Sequence, residues 1–124
     1  MKMYKWSKSS AERLLTCDTN LILLFNTVLL HRDCTILDGH RDEERQNQYY
    51  KEGKSKLPWD KSKHNRFPSK AVDARFCPYN PDLDDDNREK WMEFRGFVYG
   101  IAAQLGIKLS KTIQWDLPHF ELRD

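Results

Sequence analysis

The chain has no even set of cysteines. Cys17, Cys34 and Cys77 are three in number and form no C-x-x-C pair, which argues against both a disulfide framework and a thiolate zinc site. They read as reduced thiols. Long apolar runs are missing too: the stretch from Leu21 to Leu30 contains Asn26 and Thr27 and is far too short to cross a bilayer as a helix. No N-terminal secretion signal is visible, so the expectation is a cytoplasmic product without stable membrane insertion. An excess of one charge is absent as well, since 21 basic and 19 acidic side chains leave only +2. No basic stripe rises above that background, so nucleic-acid binding gains no support. There is no H-E-x-x-H motif, no internal repeat and no low-complexity segment.

What is present suits a globular domain. At 124 residues the chain can bury about two thirds of its unfolded surface, enough for one domain spanning 1–124. Hydrophobic residues at 39% and aromatic ones at 12% supply a core, so disorder is excluded. Ser9 with Glu12 has capping-box spacing and Asp18 precedes a second helical run, which predicts one broken or two consecutive helices over 10–31. Leu21, Leu24, Phe25, Val28 and Leu29 form the buried stripe. A short β-prone segment, Cys34 to Leu37, closes at Asp38-Gly39, and a helix follows from about Asp42 to Glu52 with its stop at Gly53.

Residues 54–69 lack any apolar period and read as an irregular surface segment of a length that is usually functional. Lys70 to Phe76 alternates as a strand, with Val72, Ala74 and Phe76 on one face and Ala71, Asp73 and Arg75 on the other. Asp86 and Glu89 suggest a second capping box, leading into a helix whose stripe is Trp91, Phe94, Val98, Ile101 and Leu105 and whose end is Gly106. Short strands are expected near Ile107–Leu109 and His119–Leu122, the latter turning Phe120 and Leu122 inward. The fold class read from these elements is α+β, with helices on one side of a small, mainly antiparallel sheet.

Two segments carry groups that bind metals. In S62-K-H-N-R-F-P-S-K-A-V-D73 a loop histidine, His64, precedes a strand carboxylate, Asp73; in W115-D-L-P-H-F-E-L122 Asp116 stands three residues before His119. Two imidazoles and one carboxylate would leave Zn2+ with net charge of about +1, enough to acidify a water at an open position. Asp116 could then take that proton. Each group also has a plainer role: Asp73 could pair with Arg75 or Arg41, Asp116 could cap a turn before Pro118, and either histidine could simply be hydrogen-bonded. His31 and His40 lack comparable contexts.

These segments resemble the zinc signatures of the D-alanyl-D-alanine carboxypeptidase and endolysin metallopeptidases, S-x-H-x-x-G-x-A-x-D and, downstream, an acid-x-x-H. Ser62, His64, Ala71 and Asp73 match the first, Asp116 and His119 the second. G39-H-R-D-E-E-R-Q46 is similar to the family's G-x-R-S-x-x-x-Q, with Arg41 and Gln46 in register. The resemblance implies a DD-peptidase-like (hedgehog-like) fold and a zinc metallopeptidase. His64, Asp73 and His119 would be the ligands, Asp116 the general base, and Arg41 a substrate or oxyanion contact. Gln46 would orient Arg41 or the substrate, Ser62 would position the His64 loop, and Glu121 would support a ligand imidazole. The implied substrate is a peptidoglycan stem peptide, cut at L-alanyl-D-glutamate or, as the next choice, D-alanyl-D-alanine. The His64–Asp73 spacing is two residues longer than the family pattern, Ser69 takes the glycine position, and Asp42 replaces the serine after Arg41. The segment N65-R-F-P-S-K-A-V-D73 looks more like phage forms of the family, which implies a monomeric endolysin made in the host cytoplasm and acting on the wall after release. A zinc-binding module without catalysis is the rival reading, and Asp116 with Arg41 argues against it, because a closed structural site needs neither.

Overall fold

The computed structural model describes residues 3–111 and 116–124; Trp115, which opens the second motif, lies outside them. Helix α1 (Lys8–Leu14) begins behind Ser7, whose side chain accepts from the Ser10 amide. The cap expected at Ser9 is thus displaced by two residues, and Ser9 lies inside the helix. Helix α2 (Thr19–His31) is capped by Asp18 and buries Leu21, Leu24, Phe25, Val28 and Leu29, the stripe its spacing dictates. Strand β1 (Cys34–Asp38) leads to α3 (Glu43–Lys51), capped by Asp42 and terminated where Gly53 turns to φ +78°, a conformation open to glycine at no steric cost.

Between α3 and β2 (Ala71–Phe76) the chain is irregular except for a 3-10 turn at Lys63–Asn65. The acidic loop holds a one-turn helix, α4 (Pro81–Asp84), that the sequence reading did not anticipate. Helix α5 (Arg88–Leu105) is capped by Asn87 rather than Asp86 and closes at Gly106 with φ +72°. Its buried side is Trp91, Phe94, Arg95, Val98 and Ala102, while Ile101 and Leu105 are only partly buried. Of the two late strands expected, His119–Glu121 forms β3, and the Ile107–Leu109 stretch contributes a single bridge, Leu109 to Leu122.

The sheet is antiparallel throughout, in the order β1-β2-β3. Ile36, Val72, Ala74 and Phe120 project to one face and are sealed by α2 and α5, so the protein is α+β with its helical layer over an apolar sheet face. Phe120 sits at the centre, with ring centroids 5.5 Å from Phe25 and 6.2 Å from Phe94. The Val72–Phe120 pairing sets the β2/β3 register, and with it places Asp73 directly opposite His119 on the other face; a slip of one residue would turn both into the core. A bulge between Ile36 and Asp38 brings Asp38 opposite Asp73. Without that extra residue Asp38 would share the face of Ile36. Among the described residues no helix is long and apolar enough to cross a membrane.

Candidate metal centre

The polar sheet face collects groups that are remote in sequence. His64 Nε2 and His119 Nδ1 each lie 3.3 Å from Asp73 Oδ1, and the three form a group able to hold a metal ion. Tetrahedral ligands bound at about 2.0 Å stand about 3.3 Å apart, so both distances to Asp73 match those of a zinc site. The outer atoms of each group are also engaged. His64 Nδ1 donates to Gly39 O at 2.7 Å, and His119 Nε2 donates to Glu121 Oε1 at 2.8 Å. Each partner is an acceptor, so the proton is held on the far nitrogen and the lone pair is directed inward. Asp73 Oδ2 accepts from Arg41 Nη2 at 2.9 Å, leaving Oδ1 for the centre.

Three inward-facing acceptors need a cation between them, and protons can take that part. Burial favours neutral forms, yet the carboxylates of Asp73 and Glu121 push His119 up to about 9. Burial likewise opposes ionisation of Asp73, but the charge of His64 and hydrogen bonds from His119 and His64 hold it well below the ordinary carboxylate range. The hydrogen bond from His119, aided by Lys63, lowers Glu121 to about 2. Asp116 Oδ2 stands 3.9 Å from His119 Nδ1. Burial and the neighbouring Asp73 raise its carboxyl above the usual value.

Arg41 is buried and braced on three sides. Nε donates to Asp38 Oδ2 at 2.6 Å, Nη1 to Gln46 Oε1 at 3.2 Å and Nη2 to Asp73, while Tyr49 lies under the guanidinium at 4.8 Å. Among the described residues, one N–H on each terminal nitrogen is left over. The partner of Asp73 is therefore Arg41, and Arg75 lies instead over the Tyr79 ring. Gln46 is fully buried. Its Oε1 accepts from Arg41 and Asn65, and its Nε2 donates to Ser55 Oγ and Leu57 O, which uses its whole hydrogen-bonding capacity. Of the two roles expected for Gln46, the geometry favours orienting Arg41 over contacting substrate. Ser62 caps the 3-10 turn by accepting from the His64 amide.

The longer His64–Asp73 loop is absorbed before β2, where Ser69 is buried, bonds Ala71 through its hydroxyl and keeps a negative φ. The supporting roles of three residues escaped the sequence reading, although Gly39 opens the third motif. Asp38 had been assigned only to a turn. Gly39 packs so closely that a Cβ there would meet Arg13 O and Thr16 Oγ1 at 2.4 Å, which is why its carbonyl can reach His64. Arg95, on the buried side of α5, donates to Leu117 O and to His119 O and so clamps the backbone around Pro118. Its place on the helical period was the available signal.

This arrangement places a largely buried His-Asp-His group able to hold a metal ion on the polar face of an α+β fold, with a carboxylate and a guanidinium beside it. A family model described as phage L-alanyl-D-glutamate peptidase matches residues 2–121, and the chain belongs to that family. The crystal structure of the Serratia marcescens L-Ala D-Glu endopeptidase ChiX has the same fold, with a TM-score of 0.71 at 22% identity over 95% of this chain and 89% of that one. The search of curated proteins finds no match.

Proposed function

We propose that this protein is a zinc-dependent peptidoglycan peptidase of the phage endolysin type, a single unit that hydrolyses the L-alanyl-D-glutamate bond of stem peptides. The observation that carries the reading is the convergence of His64 Nε2, Asp73 Oδ1 and His119 Nδ1, each backed by its own outer hydrogen bond, in a cleft that also exposes Asp116 and Arg41. His64, Asp73 and His119 would hold the ion. When bound, zinc supplies Lewis acidity toward a peptide carbonyl and a water. Asp116 Oδ2 takes the proton of the attacking water and returns it to the leaving amine, the ordinary work of a positioned carboxylate. The free N–H groups of Arg41 face the carbonyl oxygen as charge develops on it. Asp38, Gln46 and Asp73 keep that guanidinium from turning, so no reorganisation is needed during reaction. Ser62 contributes through the loop that carries His64. The family match favours L-alanyl-D-glutamate over D-alanyl-D-alanine.

Digestion of purified peptidoglycan by the zinc-loaded enzyme, followed by mass spectrometry, tests the reading. New C-terminal L-alanine is expected, and chelation should stop its appearance. Release of D-alanine would transfer the protein to the carboxypeptidase reaction, and intact stem peptides would leave a zinc module without catalysis.

A further inference from the structure

Helix α5 carries a charge into the core. Arg95 is 2% exposed on the buried side of the helix, with its Cζ 4.4 Å from the centroid of the Phe120 ring. Among the described residues its hydrogen bonds go only to carbonyl and hydroxyl oxygens, and its Nε is buried without a partner. A charge this deep without a carboxylate beside it is costly, and an apolar side chain would pack on Phe120 without that penalty. Packing therefore does not account for the arginine.

Its partners do. Nη1 donates to Leu117 O and, at 2.8 Å, to His119 O; Nη2 donates to the Tyr99 hydroxyl at 3.3 Å, which in turn donates to Ser110 O at 2.7 Å. His119 N donates to Asp116 O at 3.1 Å, and Ala74 N to Pro118 O at 2.9 Å. All four carbonyls of residues 116–119 are thus held, two of them by the one nitrogen Nη1, and Pro118 has no N–H to add. These bonds tie the turn to itself, to β2 and, through Arg95, to the helical layer. The Asp116 carboxylate is held by nothing comparable. Among the described residues its ionic contact is His119 Nδ1 at 3.9 Å, too long for a hydrogen bond, so its place is set by the backbone that carries it.

We propose that Arg95 is a positioning residue for hydrolysis: by holding the Leu117 and His119 carbonyls from inside the core, it sets where the Asp116 carboxylate stands beside the metal centre. The inference rests on the peptidase reading above. Displacing a reacting group by about 1 Å can cost about 10²-fold in rate. His119 keeps a second anchor, since β3 remains paired with β2 through Val72–Phe120 and Asp73–His119. Loss of the clamp therefore falls on turnover and spares the metal.

The test is a double-mutant cycle of Arg95→Met and Asp116→Asn, on zinc-loaded protein with a stem peptide as substrate, at a temperature where circular dichroism shows every variant folded. Arg95→Met should keep near-stoichiometric zinc and a KM within about twofold of wild type, while kcat falls by about 10- to 10²-fold. In the Asp116→Asn background the same change should lower kcat by less than about threefold, because the base it positions is already gone. Val98→Ala, a buried neighbour on α5 with no polar group to bind the turn, should lose stability and keep kcat. If Arg95→Met does not fold, Arg95→Gln, which keeps two N–H groups on one nitrogen but ends two atoms short, completes the same cycle. Wild-type kcat in the folded Arg95 variant, an equal loss in both backgrounds, or the same loss in Val98→Ala makes the arginine purely structural and overturns the inference. Absence of hydrolysis by the wild type is read separately: it overturns the peptidase reading, and the positioning role with it.

Discussion

The two faces of one three-stranded sheet are made by alternate residues of the same strands, yet they are held together by opposite means. On the helical face Ile36, Val72, Ala74 and Phe120 are buried among rings and aliphatic groups, where the attraction is non-directional and shared over many contacts. On the other face Asp38, Asp73, His119 and Glu121 are fixed by individual hydrogen bonds to named partners. The apolar face supplies the stability that the polar face lacks. Three inward-turned ligand atoms oppose one another until a cation is bound, and only a rigid support keeps them converged. Neighbouring residues on one strand should therefore fail in different ways.

His119 and Phe120 give the sharpest form of that contrast. His119→Ala, like His64→Ala or Asp73→Ala, should abolish hydrolysis and most zinc binding while leaving a folded protein. Phe120→Ala should lower stability by about 3–5 kcal/mol, yet still bind zinc at temperatures where it is folded. Metal content and urea denaturation of both variants decide the matter. Near-stoichiometric zinc in the His119 variant would dissolve the distinction between the faces.

Asp116 lines the cleft without belonging to the triad, so Asp116→Asn should separate binding from chemistry. Zinc and stability should stay close to wild type, while turnover falls by at least about 10²-fold. If zinc is lost in proportion to activity, Asp116 belongs with the ligands. Arg41→Lys tests bracing on the polar face: one ammonium cannot bridge Asp38, Gln46 and Asp73 together. About tenfold or more of turnover should go, with about 1–3 kcal/mol of stability, because the buried Asp38 loses a partner. Wild-type kinetics in this variant would remove Arg41 from the site.

The smallest effect is a pH dependence confined to the polar face. In the metal-free protein the folded-state value of His119 is raised from 6.5 to about 9, so its contribution is complete below about 6.5 and fades as pH rises through 9. Glu121 is lowered from 4.5 to about 2, so its contribution is complete above about 4.5 and fades as pH falls through 2. Urea midpoints of the metal-free protein should decline on both sides of a plateau between those ordinary values. The two groups are partners, so Glu121→Gln should remove the Glu121 part of the acid arm and shrink the alkaline arm in part, since Asp73 also raises His119; an unchanged profile in that variant would show that the pair carries no such linkage.

Much of this was legible in the chain. The period of two in Lys70 to Phe76 separated Asp73 from the core, and the period of 3.6 identified the α2 stripe residue by residue. Helix ends were less legible, since Ser7 and Asn87 cap where Ser9 and Asp86 were expected; several capping residues compete within a few positions, and only backbone geometry selects one. The motif residues were visible as types at spacings. Their supports were not: Asp38 looks like any turn carboxylate, and although Gly39 opens a motif and Arg95 falls on the buried side of the α5 period, neither position says which distant group it will bind.

Sequence by itself determined the faces: which side chains turn to the core, and which titratable groups turn away from it. Tertiary structure decided the partnerships. The opposition of Asp73 and His119 follows from the seating of Phe120 between Phe25 and Phe94, and the reach of Gly39 O to His64 follows from the packing of Gly39 against α1 and the residues after it. The physical reason is range. Alternation is set by each residue's immediate neighbours along the chain, whereas register depends on apolar surfaces tens of residues apart finding the one fit that buries them all.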